Sequence, residues 1–367
     1  MSFLRLSPAR TDTLSLMFGP VIDNHLDPIL RGVSRSIFLT LKVAPAATRR
    51  QLGVAYLFCR AADTIADTKL LSRESRLDDL RRFRSQFEAE EPQEEEVRSI
   101  SERVGGPQSI PQEQALLARL GECFEVFSQL DSQDRALVRK LVTTLTRGME
   151  MDLEHFPPEE SGEVASLLSE ADLDLYTYYV AGCVGEFWTD LQAAHLRSLS
   201  VWDLSSMREK GIRFGKGLQM TNILRDVDCD LAIGRSYFPE SRLVEAGIRV
   251  EDIHRGQGRE RLKPILVEYL KLTLRYYRDG WEYTLAIPRS LPRLRLACAW
   301  PLLIGLRTLA RLSRSTDPYA PGTLHKVPRA EVYSVLCRSA SCVFSNRALE
   351  RLYGGLEGEV KLALEKS

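Results

Sequence analysis

The segment Leu52-Gly-Val-Ala-Tyr-Leu-Phe-Cys-Arg-Ala-Ala-Asp-Thr-Ile-Ala-Asp67 sets Leu52, Tyr56, Cys59 and Ala62 at the spacing of a helical face. It lies in a proline-free run from Ala46 to Glu91. Two more such runs, Gln112 to Phe156 and Glu159 to Phe238, repeat the period, as in Leu137, Leu141 and Leu145. Alternating β-branched runs are absent, so strands have little support. The fold class read from this pattern is all-α. Breaks fall at Glu90 to Gln112, at Pro157-Pro158 and around Arg314 to Pro328. Glu94, Glu95 and Glu96 are expected in a solvated loop. No break is long or linker-like, and no repeat has a fixed period. A single all-α domain over residues 1–367 is expected.

Hydrophobic residues make up 44% of the 367 and charged residues 27%, enough for a substantial core. Fifty basic residues balance fifty acidic ones, so no global field draws in nucleic acid or an anionic bilayer. The seven cysteines form no CxxC pair, which points to reduced thiols packed as small buried hydrophobes in a cytoplasmic setting. No secretory signal is visible. The longest apolar stretch, Leu296 to Leu306, has 11 residues and contains Pro301, against the roughly 18 that a bilayer span needs. It is expected as a core helix, a cavity wall or a surface that touches lipid, and no transmembrane anchor is expected.

Asp63 and Asp67 are four apart, as are Asp226 and Asp230 in Asn222-Ile-Leu-Arg-Asp-Val-Asp-Cys-Asp230. Positions i and i+4 share a helical face, so each pair points two carboxylates the same way and needs a compensating charge. Mg²⁺ suits that need: it takes one or two carboxylates and completes its octahedron with water and substrate phosphates. Acidic pairs at this spacing arise by chance about seven times in such a chain, so a lone pair is weak. Context strengthens these two. Arg60 lies a turn before Asp63, Arg225 directly precedes Asp226, and both pairs sit in otherwise apolar helical sequence. Between them, Ala181, Gly182 and Gly185 interrupt a helical segment, which implies close approach of either a neighbouring helix or a ligand chain.

Five ordered motifs now coincide. Ser34-Arg-Ser36, Tyr56 to Asp67, Tyr176 to Gly185, Gln219 to Asp230 and Gly234-Arg-Ser-Tyr-Phe-Pro239 together resemble the squalene and phytoene synthase family of head-to-head prenyl transferases. The resemblance runs from about Ser34 to Val332. Asp-Thr-Ile in the first aspartate motif, Ala297 to Pro301, and His325 to Arg329 are most similar to squalene synthases.

The resemblance implies an isoprenoid synthase fold, a helical bundle around a central apolar cavity. It implies condensation of two farnesyl diphosphates to presqualene diphosphate with Mg²⁺ or Mn²⁺, then reductive rearrangement to squalene with NADPH. Asp63, Asp67, Asp226 and Asp230 would hold metal, with Asn222 and Gln219 beside them. Arg35, Arg60, Arg225 and Arg235 would meet diphosphate or cofactor phosphates, with Ser34 and Ser36 at the substrate. Tyr176 would act as acid or base and Tyr56 would line the site. Ala181, Gly182 and Gly185 would make room for a C15 chain, and Lys326 would bind NADPH. A cytoplasmic enzyme is expected, with peripheral contact at the inner face of a membrane for product release. Ala66 and Thr68 stand where many relatives carry acids, Pro328 replaces a companion arginine, and Ala297 an aromatic residue. The alternative is a reductant-free enzyme ending at presqualene diphosphate, dehydrosqualene or phytoene.

Overall fold

The computed structural model describes residues 20–23, 25–34, 37–315 and 325–366, so Arg35 and Ser36 lie outside the described residues. Helices dominate, as the period indicates. Among the described residues the strands are the two-residue β1 (Ala165–Ser166) and β2 (Arg235–Ser236), paired in parallel. By contact the chain divides into two compact units, one reaching Leu153 and including Phe187–Leu204, the other formed by Glu154–Glu186 and Ser205–Ser367.

The first unit contains α1 (Asp27–Ser34), α2 (Ile37–Val43), α3 (Ala46–Asp67), α4 (Arg73–Glu88), α5 (Glu94–Gly105), α6 (Pro111–Ala118), α7 (Leu120–Ser128) and nearly all of α8 (Ser132–His155). Pro45, which needs no amide partner, stands at the start of α3. One stripe of α3, with Phe58, Ala62 and Ile65, is fully buried. Phe58 lies 4.8 Å from both Phe87 and Phe124, ring centre to ring centre. A ring this buried contributes about 3 kcal/mol and fixes which way the helix faces. The stripe of Tyr56, Arg60, Asp63 and Asp67, at i, i+4, i+7 and i+11, is thereby turned away from the aromatic cluster. Glu94, Glu95 and Glu96 correct the loop expectation, since they form the first turn of α5. Acidic side chains are favourable there, against the positive end of the helix dipole.

The second unit begins with β1 and α9 (Glu170–Thr177), whose start carries a reciprocal cap between Ser169 and Asp172. A π-helical turn, Tyr178–Gly182, links α9 to the start of α10 (Cys183–His195), whose remainder from Phe187 belongs to the first unit. Then come α11 (Leu204–Leu231), β2, α12 (Glu240–Glu245), α13 (Val250–His254), α14 (Arg259–Ala286), α15 (Pro292–Arg314), α16 (Arg329–Cys342) and α17 (Asn346–Glu365). Trp281 of α14 stacks on Tyr353 of α17 at 4.5 Å. By length and apolarity α15 could cross a membrane, but 72% of its apolar window is buried, so it serves as the core helix of this unit. Cys123, Cys183 and Cys298 are buried, whereas Cys229 and Cys337 are exposed, which corrects the expectation of uniformly buried cysteines.

Candidate active site

In the first unit, α3 presents Tyr56, Arg60, Asp63 and Asp67 along one stripe. The Tyr56 hydroxyl donates to the Val33 carbonyl at 3.2 Å, beside Ser34, whose buried hydroxyl has no hydrogen-bond partner. Arg60 donates through Nη1 to Asp63 at 3.4 Å and through Nη2 to Glu113 of α6. Burial pushes the Asp63 carboxyl up to about 6; the neighbouring Asp67 charge adds to this and Arg60 opposes it. Asp67 is exposed. The two departures from the family pattern are occupied otherwise. Ala66 is buried, and the Thr68 hydroxyl donates to the Thr64 carbonyl at 2.6 Å while accepting from Gln108 at 3.1 Å. Neither supplies an acid.

In the second unit, α11 carries Gln219, Asn222, Asp226 and Asp230 at i, i+3, i+7 and i+11, again one stripe. Asn222 donates to Gln219 at 3.3 Å, and its own carbonyl oxygen is buried with no hydrogen-bond partner. Arg225 grips Asp226 with Nε at 2.6 Å and with Nη2 as well. Arg235 of β2 donates to the buried Glu159 at 3.2 Å. Tyr176, buried on α9, stacks on Tyr237 at 4.7 Å and 22°. Gly234 makes that loop possible. Its φ is +80°, and a Cβ would come within 2.5 Å of the Glu163 carbonyl oxygen.

For the small residues of Tyr176 to Gly185, the structure selects the helix over the ligand chain. A Cβ on Gly185 would lie 1.9 Å from the Gly211 carbonyl oxygen, and one on Gly215 would lie 2.1 Å from that of Ala181. Gly182 faces Ile212 and Lys216. The space beside Gly185 is taken by the α11 backbone and that beside Gly182 by the Ile212 and Lys216 side chains. Lys326 is exposed beside the buried His325.

All donors on the two stripes are oxygens, and the orphaned Asn222 carbonyl lies one turn from Asp226. Each stripe by itself offers donors that fit a hard divalent cation. A third grouping, Asp131, Asp134 and His195, also brings ligand atoms together, in the first unit. It reads as a brace. Asp131 caps the Asp134 amide of α8 at 2.8 Å, while the buried Asp134 carboxylate accepts from Gln51 at 2.7 Å and lies 2.8 Å from His195 Nε2.

The squalene/phytoene synthase family model matches residues 30–331. The chain belongs to that family. Enzymes of the squalene/phytoene synthase family use a divalent metal through an aspartate-rich site. A bifunctional lycopene cyclase/phytoene synthase of Blakeslea trispora is 31% identical over 234 residues, 63% of this chain and 34% of that protein. Squalene synthase of Saccharomyces cerevisiae is 25% identical over 288 residues, 78% of this chain and 60% of that protein. The chain thus spans about a third of the length of the first relatives it matches. Among solved structures, TcSQS bound to a ligand superposes with TM-score 0.68 at 20% identity, covering 92% of this chain and 97% of that one. A dehydrosqualene synthase gives 0.58 at 19%, covering 91% and 99%. At such identity these two likenesses speak for the all-α isoprenoid synthase fold alone.

Glu113, Glu159 and Tyr237 contact residues expected at the site, and no role was expected for any of them. Glu113 and Glu159 lie 53 and 76 positions from the arginines they meet. No periodicity links residues so far apart.

Proposed function

We propose that residues 1–367 work as a single catalytic domain, a squalene synthase. It would condense two farnesyl diphosphates to presqualene diphosphate and reduce that product to squalene with NADPH. The observation that carries the reading is the pair of oxygen-rich helical stripes, each with an arginine hydrogen-bonded to its first aspartate, in a chain of this family.

Asp63, Asp67, Asp226, Asp230 and Asn222 would hold Mg²⁺ or Mn²⁺, with Gln219 orienting Asn222. A cation held by these residues would supply neutralisation of the charge on the leaving diphosphate. Arg60 and Arg225 would each meet a diphosphate by exchanging carboxylate for phosphate oxygens, a geometry that guanidinium suits equally well. Tyr56 and Ser34 would line the substrate end of the first stripe, and Arg235 would assist at the second. Tyr176, held flat against Tyr237, would carry the proton lost when the cyclopropane closes. Lys326 would pair with a cofactor phosphate, and NADPH would supply the hydride of the second step. The reading includes a cytoplasmic enzyme that meets a membrane peripherally as its apolar product leaves.

Product analysis tests this. Purified protein with farnesyl diphosphate and Mg²⁺ is expected to accumulate presqualene diphosphate, and to yield squalene once NADPH is added. Lys326→Ala should raise the apparent KM for NADPH and leave the first condensation unchanged. Identical products with and without NADPH would remove the squalene assignment and favour the second reading, a reductant-free synthase. The 31% identity over 234 residues to the bifunctional lycopene cyclase/phytoene synthase, against 25% over 288 for the yeast squalene synthase, supports that reading.

Tyr176→Phe should slow presqualene diphosphate formation by roughly 10²–10⁴-fold with substrate binding retained, the range of a general acid or base. A loss below about tenfold would assign the proton to released diphosphate instead.

A further inference from the structure

Arg60 stands between two carboxylates of unequal strength. Its contact with Asp63 is long, 3.4 Å, while its contact with Glu113 is a close charge-assisted hydrogen bond. Glu113 belongs to another helix, α6, and its side chain is 8% exposed. A carboxylate so buried is retained only with a partner, and Arg60 is the partner here. The contrast with the second stripe is direct, since there Arg225 covers both oxygens of Asp226. An arginine bound in that way competes with a cation for the carboxylate oxygens and must exchange partner as metal binds. At Asp63 the tighter bond pulls the guanidinium the other way.

We infer that Glu113 is a positioning residue for the first aspartate pair: it draws Arg60 off Asp63, leaving that carboxylate open to the divalent cation and holding the guanidinium ready for diphosphate. The inference rests on the proposed metal-binding role of Asp63. It adds a residue 50 positions away that no family motif in the chain includes. Glu113 touches neither substrate nor metal in this role. It acts through Arg60.

The test is Mn²⁺ binding to the full chain in the presence of inorganic diphosphate, read by calorimetry or electron paramagnetic resonance rather than by turnover. Glu113→Gln is expected to weaken Mn²⁺ binding by roughly tenfold or more, the usual cost of losing a residue that orients a metal ligand. Glu113→Asp keeps the charge but shortens the reach, and should also weaken binding. The double variant Arg60→Gln/Glu113→Gln should recover most of the Mn²⁺ affinity, because the competing guanidinium is gone. Glu113→Gln should add nothing in an Asp63→Asn background. A Glu113→Gln variant within twofold of wild type overturns the inference, as does a Glu113→Asp variant equal to wild type, which would leave charge alone as the cause. If Glu113→Gln does not fold, Glu113→Asp decides by itself. Mn²⁺ binding indifferent to Asp63→Asn would overturn the metal role of Asp63 and this inference together. Binding sensitive to Asp63→Asn but not to Glu113 overturns this inference alone.

Discussion

Asp63→Asn or Asp226→Asn is expected to lower diphosphate release from farnesyl diphosphate by at least roughly 10³-fold, equivalent to about 4 kcal/mol of transition-state stabilisation. Asparagine keeps the size and one oxygen, and loses the charge that offsets the cation. Stability should move the other way at Asp63. Its carboxyl is pushed up to about 6, first by burial and then by the Asp67 charge, with Arg60 only partly compensating. Between an ordinary carboxyl pKa and this value, the folded chain holds a proton that the unfolded chain has lost. Stability from this group is therefore complete at low pH and is lost as pH rises through about 6. Solvent reaches 32% of the side chain, so the penalty at neutral pH is discounted to about 1 kcal/mol. Metal-free Asp63→Asn should accordingly melt a few degrees above wild type at pH 7.5, and the two should converge toward pH 4. A variant that melts below wild type at pH 7.5 would make this carboxylate a structural support. Circular dichroism melts and release of inorganic diphosphate check both halves in one preparation.

The second large effect falls on packing. Gly185→Val is expected to destabilise the chain by at least about 3 kcal/mol and to lower its melting temperature by roughly 5–10 °C. The reason is backbone meeting backbone. A Cβ at residue 185 would lie 1.9 Å from the Gly211 carbonyl oxygen, and no rotamer change can relieve a contact with main chain. The α10 and α11 segments would have to separate. The stripe carrying Asn222 and Asp226 continues along the same α11, so the substitution should also weaken metal-dependent activity in whatever fraction still folds. A melting temperature within two degrees of wild type, measured by calorimetry, would show that this approach of helices is not needed.

Much of the fold was legible because helices write their faces into spacing. Tyr56, Arg60, Asp63 and Asp67 fall at i, i+4, i+7 and i+11, and the buried Phe58, Ala62 and Ile65 occupy another side of the same cylinder. Gln219 to Asp230 repeats the arrangement. Features that depend on a second segment left no such trace. Glu113 meets Arg60 across 53 positions, and the two-residue strands pair Ala165 with Arg235 across 70. Ala181, Gly182 and Gly185 announced a close approach but could not name the partner, because a glycine records only that space is needed. Glu94, Glu95 and Glu96 misled for another reason. A cluster of like charge reads as a loop in isolation, whereas at the first turn of α5 the helix dipole makes it favourable.

The π-helical turn at Tyr178–Gly182 sets a phase. It closes its hydrogen bonds one residue later than an α-helix does, so the segments on either side are out of step by one position. Tyr176 faces Tyr237 while Gly185 faces Gly211, and the offset between them is carried by these five residues. Losing one residue between Tyr178 and Gly182 would restore ordinary winding and rotate one face against the other by about 100°. The tyrosine and the glycine would then no longer address their partners together. A one-residue deletion there would act as a change of gear for the whole segment.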